Sequence, residues 1–478
     1  MFNYAHSLRQ YPPLMILEEL LKSTAPPTYV VGGFVRDLLL DRPSKDIDIV
    51  CVGDSIALAK AFAKKTNSRK LAIYKRFGTA MVHYQGWDVE FVNARKESYQ
   101  PNSRKPTVTQ GTLEDDQKRR DFTINALAIQ LNPSHFGQLI DPFQGIQDLQ
   151  DRLLRTPLDP AKTFSDDPLR MMRAIRFACQ LSFTLHPTLH TALEKESNRL
   201  TIVSKERIIT ELNKIILSNE PARGFYLLNE TYLLGHILPE LQALQGIETI
   251  QGKLHKDNFI HTLQVLTNVS QMSDNLWLRW AALLHDIAKA ATKRFHPKIG
   301  FTFHGHEELG ARMVPQLFRR LKLPLNHHMR YVQKLVRLHL RPIAIAQDTV
   351  TDTAVRRLMH DAGEHINDLM TLCRADITSK NSQRVRKYLH NFEKVENKIA
   401  AVEQKDFIRN LQPIINGEQI MKIFDLPPCQ QVGILKKALK EAVLDGSVPN
   451  EKKALYTYLI QIAKKHNLSP VDNHPNKT

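Results

Sequence analysis

What this chain is short of narrows the field before any motif is considered. Its cysteines are four in 478 residues, Cys51, Cys179, Cys373 and Cys429, widely scattered and with no paired spacing. That argues against a disulfide framework or a cysteine-type zinc site and makes a reducing cytoplasm the expected setting. No stretch approaches the roughly eighteen apolar residues that a membrane-spanning helix requires. The opening Met1-Phe-Asn-Tyr-Ala-His has no basic region followed by an apolar run, so secretion is not expected. Tandem repeats and low-complexity tracts are missing too. Acidic residues fall short of basic ones, 49 against 66, leaving a formal charge of +17. Such an excess suits a polyanionic partner, nucleic acid or an anionic membrane surface, although a plain basic surface has the same composition. With 42% apolar and 24% charged residues the chain is no disordered polymer. Its length exceeds one typical core and suggests two to four domains.

The first third reads as mixed α/β. Tyr29 to Val31 is a β-type run that ends at Gly32-Gly33, and Phe34 to Leu40 reads as a helix. Ile47 to Val52, Thr79 to His83 and Asp88 to Asn93 read as strands, with a helix over Ala57 to Lys65 between the first two. The polar, proline-bearing stretch from Arg95 to Thr112 reads as a loop. From about Asp121 strand signals fade and helical periodicity runs to the end, broken near Pro187, Pro239, Pro324 and Pro428. Ser469 to Thr478 reads as a disordered tail.

Asp46-Ile47-Asp48 is the most informative triplet. On a strand, residues two apart project to one face, so both carboxylates enter one site while Ile47 turns to the core. Two hard oxygen ligands on one face suit Mg²⁺, which keeps positions for water and substrate phosphates. Alone, Asp-x-Asp is more often a solvated strand end. Here it follows Gly32-Gly33-Phe34-Val35-Arg36-Asp37, a strand–turn–helix start whose amides and Arg36 suit phosphate oxygens.

From Val30 through Val50 the sequence resembles the first motif of the class II tRNA nucleotidyltransferases, within the DNA polymerase β-like superfamily. The resemblance implies that Asp46 and Asp48 bind Mg²⁺ and that Gly32, Gly33 and Arg36 belong to the nucleotide site. Glu90 matches a family carboxylate opposite the pair. Asp41 stands where the family commonly has Gly, a departure that reshapes a turn without touching the metal ligands. Arg119-Arg120-Asp121-Phe122-Thr123-Ile124-Asn125 is similar to the family's Arg-Arg-Asp-Phe motif. It implies that Arg120 grips the triphosphate and that Asp121 and Asn125 bond ribose or backbone; read plainly, the stretch is a helix start capped by Asp121.

Asp166-Asp167-Pro168-Leu169-Arg170 also reads as a helix start, with Asp167 as cap and Pro168 at the first helical position. Asp167 and Arg170, three apart, share a face, an acceptor beside a donor. Cytosine and adenine each offer an amino donor beside a ring-nitrogen acceptor, whereas guanine and uracil offer a carbonyl beside an N–H. A mispaired buried polar group costs about 1–3 kcal/mol, enough to discriminate. The family has Glu-Asp-x-x-Arg here, and the resemblance assigns the base-reading role to Asp167 and Arg170 and a triphosphate contact to Arg173. Asp166 replaces the usual Glu, one methylene shorter. Asp141 to Asp148 and Ser204 to Asn213 resemble the family's hinge and neck segments.

Further on, His285-Asp286 closes an apolar helical run, with His261 upstream and His306, His339 and Asp376 downstream. Imidazole and carboxylate ligands in that order suit one or two divalent transition ions. The stretch from about 255 to 380 resembles the HD phosphohydrolase superfamily, which implies metal roles for His261, His285, Asp286, His306, His339 and Asp376. A metal-free scaffold is the rival. Gln412 through Gly446, with Lys436, Lys437 and Lys440, resembles the tail of the nucleotidyltransferase family.

The expected fold is α+β: a small polymerase β-like head followed by an all-α neck, an HD-type helical body and a helical tail. The expected divisions are an N-terminal helical extension at 1–27, the head at 28–150, and the neck at 151–245. The HD domain then takes 246–400 and a tRNA-binding tail 401–478. The implied activity is template-independent addition of CCA to tRNA 3′ ends from CTP and ATP, with the acceptor end of tRNA as partner and no membrane. Mg²⁺ is expected at the head and a transition ion at the HD site. A-only or CC-only addition and a poly(A) polymerase are the alternatives within the class. An HD phosphohydrolase acting on 2′,3′-cyclic or 2′-phosphates is the alternative outside it.

Overall fold

The computed structural model describes residues 3–21, 25–100, 103–246, 248–250, 253–255, 257–347, 351–378, 382–406 and 412–471. The chain forms two compact units, Met1–Gln242 and Ala243–Thr478.

The first unit is organised by a seven-stranded sheet. Its strands are β1 (Thr28–Val31), β2 (Asp46–Cys51), β3 (Leu71–Tyr74), β4 (Thr79–Tyr84) and β5 (Trp87–Asn93). After a separate hairpin of β6 (Arg95–Gln100) and β7 (Ser103–Gln110) come β8 (Ala128–Gln130) and β9 (Leu139–Ile140). The order across the large sheet is β3-β4-β5-β2-β1-β8-β9, with only β2 and β5 parallel. Burial along β2 shows why this segment is a strand: Ile47 and Ile49 are buried, while Asp46 is exposed and Asp48 partly so. Helix Ser55–Lys65 covers the apolar face, capped by Asp54, whose carboxylate accepts the Ala57 N–H at 3.0 Å. Its Phe62 packs against Phe91 with ring centroids 5.5 Å apart.

Two expectations need correction. Arg95 to Thr112 is mostly an antiparallel hairpin rather than a loop. Val108 and Thr109 are β-branched, and Pro106 falls where the register breaks between Ser98 and Gln100, which a strand tolerates. Strand signals also do not end at Asp121, because β8 and β9 extend the sheet beyond β1; three- and two-residue strands are too short for a period to register. At Asp41, φ is +52°, so the turn keeps a left-handed conformation that Asp tolerates better than most residues.

Helices Leu169–Leu181 and Lys205–Ile216 pack together beyond the sheet. In the second unit, helices Asn258–Met272, Leu276–Leu284, His306–Leu321, His327–Leu338 and Ile366–Ala375 surround the histidine cluster. Helices Gly417–Phe424, Gln430–Leu444 and Lys452–Lys465 share a separate core that includes Ile420, Leu435, Leu439, Leu455 and Leu459. Of the expected disordered tail, residues 472–478 lie outside the described residues. No described helix is long and apolar enough to cross a membrane.

Candidate active site and metal centre

In the first unit the parallel register sets Asp46 opposite Asp88 and Asp48 opposite Glu90, so the carboxylates share one sheet face. Burial raises the Asp48 carboxyl above its usual range, with Arg120 opposing and Asp46 adding to the rise. Glu90 is raised as well, by burial and then by Asp48. Crowded carboxylates of this kind favour a divalent cation, and the oxygen-only donor set fits Mg²⁺.

Gly32 follows β1 with φ +73°, and a Cβ there would lie 2.7 Å from Arg120 Nη1 and 3.4 Å from Asp48 Oδ2. The backbone angle calls for glycine, and any side chain there would push the Arg120 guanidinium aside. Gly32→Ala should lower stability by about 1–3 kcal/mol through the backbone conformation alone and displace Arg120. Urea unfolding and nucleotide affinity measured together check this, and an unchanged affinity for CTP would contradict the close approach. Gly33 begins the next helix, and its Cβ position is 3.7 Å from Arg36 Nη2.

Four of the expected nucleotide residues form one connected chain of bonds. Arg36, paired with Asp37, donates from Nη1 to Asn125 Oδ1 at 2.7 Å. Asn125 Nδ2 donates to Asp121 Oδ1 at 3.0 Å, and Arg173 Nε donates to Asp121 Oδ2 at 2.6 Å. Burial pushes the Asp121 carboxyl up, but Arg173 and Asn125 outweigh it and hold the group well below the carboxylate range. Asp121 caps no α-helix; a single 3₁₀ turn, Thr123–Asn125, follows it.

A cavity of about 380 Å³ opens beside this chain. Five arginines line it, Arg119, Arg120, Arg170, Arg173 and Arg207, against the carboxylates of Asp121, Asp167 and Glu211, a net positive lining suited to phosphates. Asp167 and Arg170 both line it, as their spacing predicts, and each takes partners elsewhere. Asp167 Oδ1 accepts the Leu169 N–H at 3.2 Å and Oδ2 lies 3.9 Å from Arg207, while Arg170 Nη2 donates to the Arg119 carbonyl at 2.5 Å. The helix begins at Leu169, one residue later than the Pro168 start expected.

Several contributors escaped the sequence reading. Asp116 is fully buried and holds both Arg119 and Arg120. Arg176 pairs with Glu211 at 2.9 Å, and the Phe177 ring has three guanidiniums near it, Arg36, Arg173 and Arg176, at 4.2 to 5.4 Å. The Arg spacing at 170, 173 and 176 was the available signal for Arg176.

In the second unit His261, His285, Asp286, His306, His339 and Asp376 converge. Asp286 is buried at the centre: Oδ2 lies 3.2 Å from His285 Nε2 and 3.4 Å from His261 Nε2, and Oδ1 lies 3.2 Å from His306 Nε2 and 3.7 Å from His339 Nε2. Asp376 Oδ1 is 2.9 Å from His261 Nε2. Two triplets sharing Asp286 have ligand atoms within 4.8 Å of one another. The Nδ1 atoms of His285, His306 and His339 each meet a backbone carbonyl, of Ala282, Phe303 and Val336, at 2.7 Å. Those contacts fix the ring with the proton on Nδ1 and turn Nε2 inward, where these three nitrogens make no geometrically sound hydrogen bond. Burial, with His285 adding to it, drives His339 down to about 4, so that ring is neutral and its lone pair available. The donor set thus fits one or two transition ions. Lys289 Nζ, 2.6 Å from Asp286 Oδ2, adds a cation at the rim.

Comparison with known proteins finds family matches in both units. Residues 28–155 match the poly A polymerase head domain, residues 182–244 the probable RNA and SrmB-binding site of polymerase A, and residues 258–381 the HD domain. An A-adding tRNA nucleotidyltransferase of Deinococcus radiodurans is 33% identical over 442 residues, 90% of this chain and 94% of that protein. A multifunctional CCA protein of Tolumonas auensis is 33% identical over 381 residues, 75% of this chain and 86% of that one. Among solved structures, the Bacillus stearothermophilus CCA-adding enzyme in complex with CTP aligns with a TM-score of 0.67 at 25% identity, covering 96% of this chain and 99% of that one. With a carboxylate-bearing sheet face, an arginine-lined cavity, a histidine–aspartate cluster and a relative matched along nine-tenths of its length, the chain belongs to the metal-dependent tRNA nucleotidyltransferase family and carries an HD domain.

Proposed function

We propose that the protein adds CCA to the 3′ end of tRNA from CTP and ATP, releasing pyrophosphate. The observation that carries this is the Asp46/Asp48 face joined, through Gly32 and Arg120, to the cavity that Asp167 and Arg170 line. Mg²⁺ held by Asp46 and Asp48 would supply Lewis-acid activation of the primer hydroxyl and neutralise charge at the leaving pyrophosphate. The arginines would bind the triphosphate and hold its α-phosphate in line, while Asp167 and Arg170 would accept from and donate to a cytosine or adenine edge. Glu90 stands as a third acid beside Asp48. The division into extension, head, neck, HD domain and tail goes with this reading, the tail's Lys436, Lys437 and Lys440 contributing to tRNA phosphate contacts, and the cytoplasm as its setting.

A-only addition is the second reading, favoured by the Deinococcus relative, which matches 90% of the chain under that name. Incubation with tRNAs ending before the first C, after it and after the second, with CTP alone, ATP alone and both, separates them. Full CCA addition requires two C incorporations from CTP alone; A transfer confined to tRNA ending in CC would leave the second reading. The charge of +17 adds a further expectation. If tRNA is held through some 6–10 phosphates, its affinity should fall by roughly 10³–10⁵ between about 50 and 200 mM salt. A flat salt profile would dismiss the electrostatic grip. The HD cluster, holding one or two transition ions through its inward Nε2 atoms, would take 2′,3′-cyclic or 2′-phosphates as a second activity.

A further inference from the structure

Asp116 sits in the first turn of the six-residue helix Leu113–Lys118 and is fully buried. A carboxylate in the first turn of a helix ordinarily faces the free N–H groups and partial positive charge of that end. The two oxygens of Asp116 are instead divided between neighbouring arginines. Oδ1 accepts Arg119 Nε at 3.0 Å and also Arg119 Nη2, while Oδ2 accepts Arg120 Nε at 3.1 Å and Nη2 at 2.9 Å. Each guanidinium therefore presents one forked edge to Asp116, which fixes the plane of both. Arg120 keeps Nη1 for the Asn125 carbonyl, at 3.3 Å, beside Gly32. The carbonyl of Arg119 in turn anchors Arg170. One buried carboxylate thus lies behind three of the cavity's arginines, on two sequence segments.

We infer that Asp116 is a positioning residue for nucleotide selection: it aims Arg119 and Arg120 at the triphosphate and, through the Arg119 backbone, steadies Arg170 against the base. The inference rests on the nucleotidyltransferase reading. Preorganisation of this kind acts on bound geometry, and a misplacement of about 1 Å in such a clamp costs on the order of 100-fold. An ion pair that served stability alone would leave base choice untouched.

The test uses the full-length protein as wild type, Asp116→Asn and Asp116→Glu. Equilibrium affinity for CTP and for ATP is measured without primer, then steady-state addition with each of the four nucleotides. Asp116→Asn should weaken CTP and ATP by roughly 10- to 100-fold and narrow the preference over UTP and GTP, with tRNA affinity unchanged. Asp116→Glu retains the charge that balances both arginines while shifting the carboxylate by one methylene. It should fold as wild type does and show the same two effects at smaller amplitude, so it decides the matter alone if the Asn variant does not fold. Wild-type nucleotide affinity and discrimination in Asp116→Glu, or unaltered discrimination in both variants, would overturn the inference. A wild-type protein that binds neither CTP nor ATP would instead remove the nucleotidyltransferase reading beneath it.

Discussion

Asp48→Asn should all but abolish nucleotide addition, lowering the rate by on the order of 10³-fold or more, the equivalent of several kcal/mol of lost charge stabilisation at the transferring phosphate. The substitution keeps the size of the side chain and its place on β2, so the sheet has no reason to yield. It also removes a charge from a site where burial and Asp46 already disfavour one. The melting temperature should therefore hold or rise while C and A incorporation both vanish, and tRNA binding should persist. Asp46→Ala should share the loss. Retained incorporation in Asp48→Asn would reject the site; a falling melting temperature would shift the explanation to the fold.

His285→Ala should strip the second unit of bound ion without touching nucleotide addition. Loss of one imidazole from the cluster should weaken ion affinity by at least about 100-fold, since even outer partners of such ligands are worth 10- to 100-fold. Metal content per chain after dialysis is the direct readout, and hydrolysis of a 2′,3′-cyclic phosphate the functional one. Asp286→Asn should lose more than His285→Ala, because both ligand triplets run through Asp286. If addition of C and A falls in His285→Ala while the protein remains folded, the two sites are not independent.

Much of this was legible in the residues themselves. β2 declared its faces because Ile47 and Ile49 alternate with Asp46 and Asp48, and the histidines of the second unit stood in ligand order beside an apolar helical run. What escaped was whatever depends on long-range pairing. The β6–β7 hairpin lies in a segment of lysine, arginine and proline whose composition argues for a loop, and only its pairing makes it a sheet. Asp116 looked like one more acid in Leu-Glu-Asp-Asp-Gln, where Asp115 closes a capping box and its neighbour is wholly enclosed. Spacing put Asp167 and Arg170 on one face correctly, but not the partners each takes, because Arg207 and the Arg119 carbonyl come from distant segments.

The register of β2 makes some insertions harmless and others ruinous. The strand is hydrogen-bonded on both edges, in parallel to β5 and antiparallel to β1, and its side chains change face at each step. One residue added among the mostly exposed positions 41–45 lengthens a surface turn and leaves the pairings as they are. One residue added between Asp46 and Cys51 sends carboxylates into the packing of Phe62 and Phe91 and isoleucines onto the carboxylate-bearing face. Catalysis and folding would fail together there, so a population of length variants selected only for solubility should already be purged of changes within those six residues.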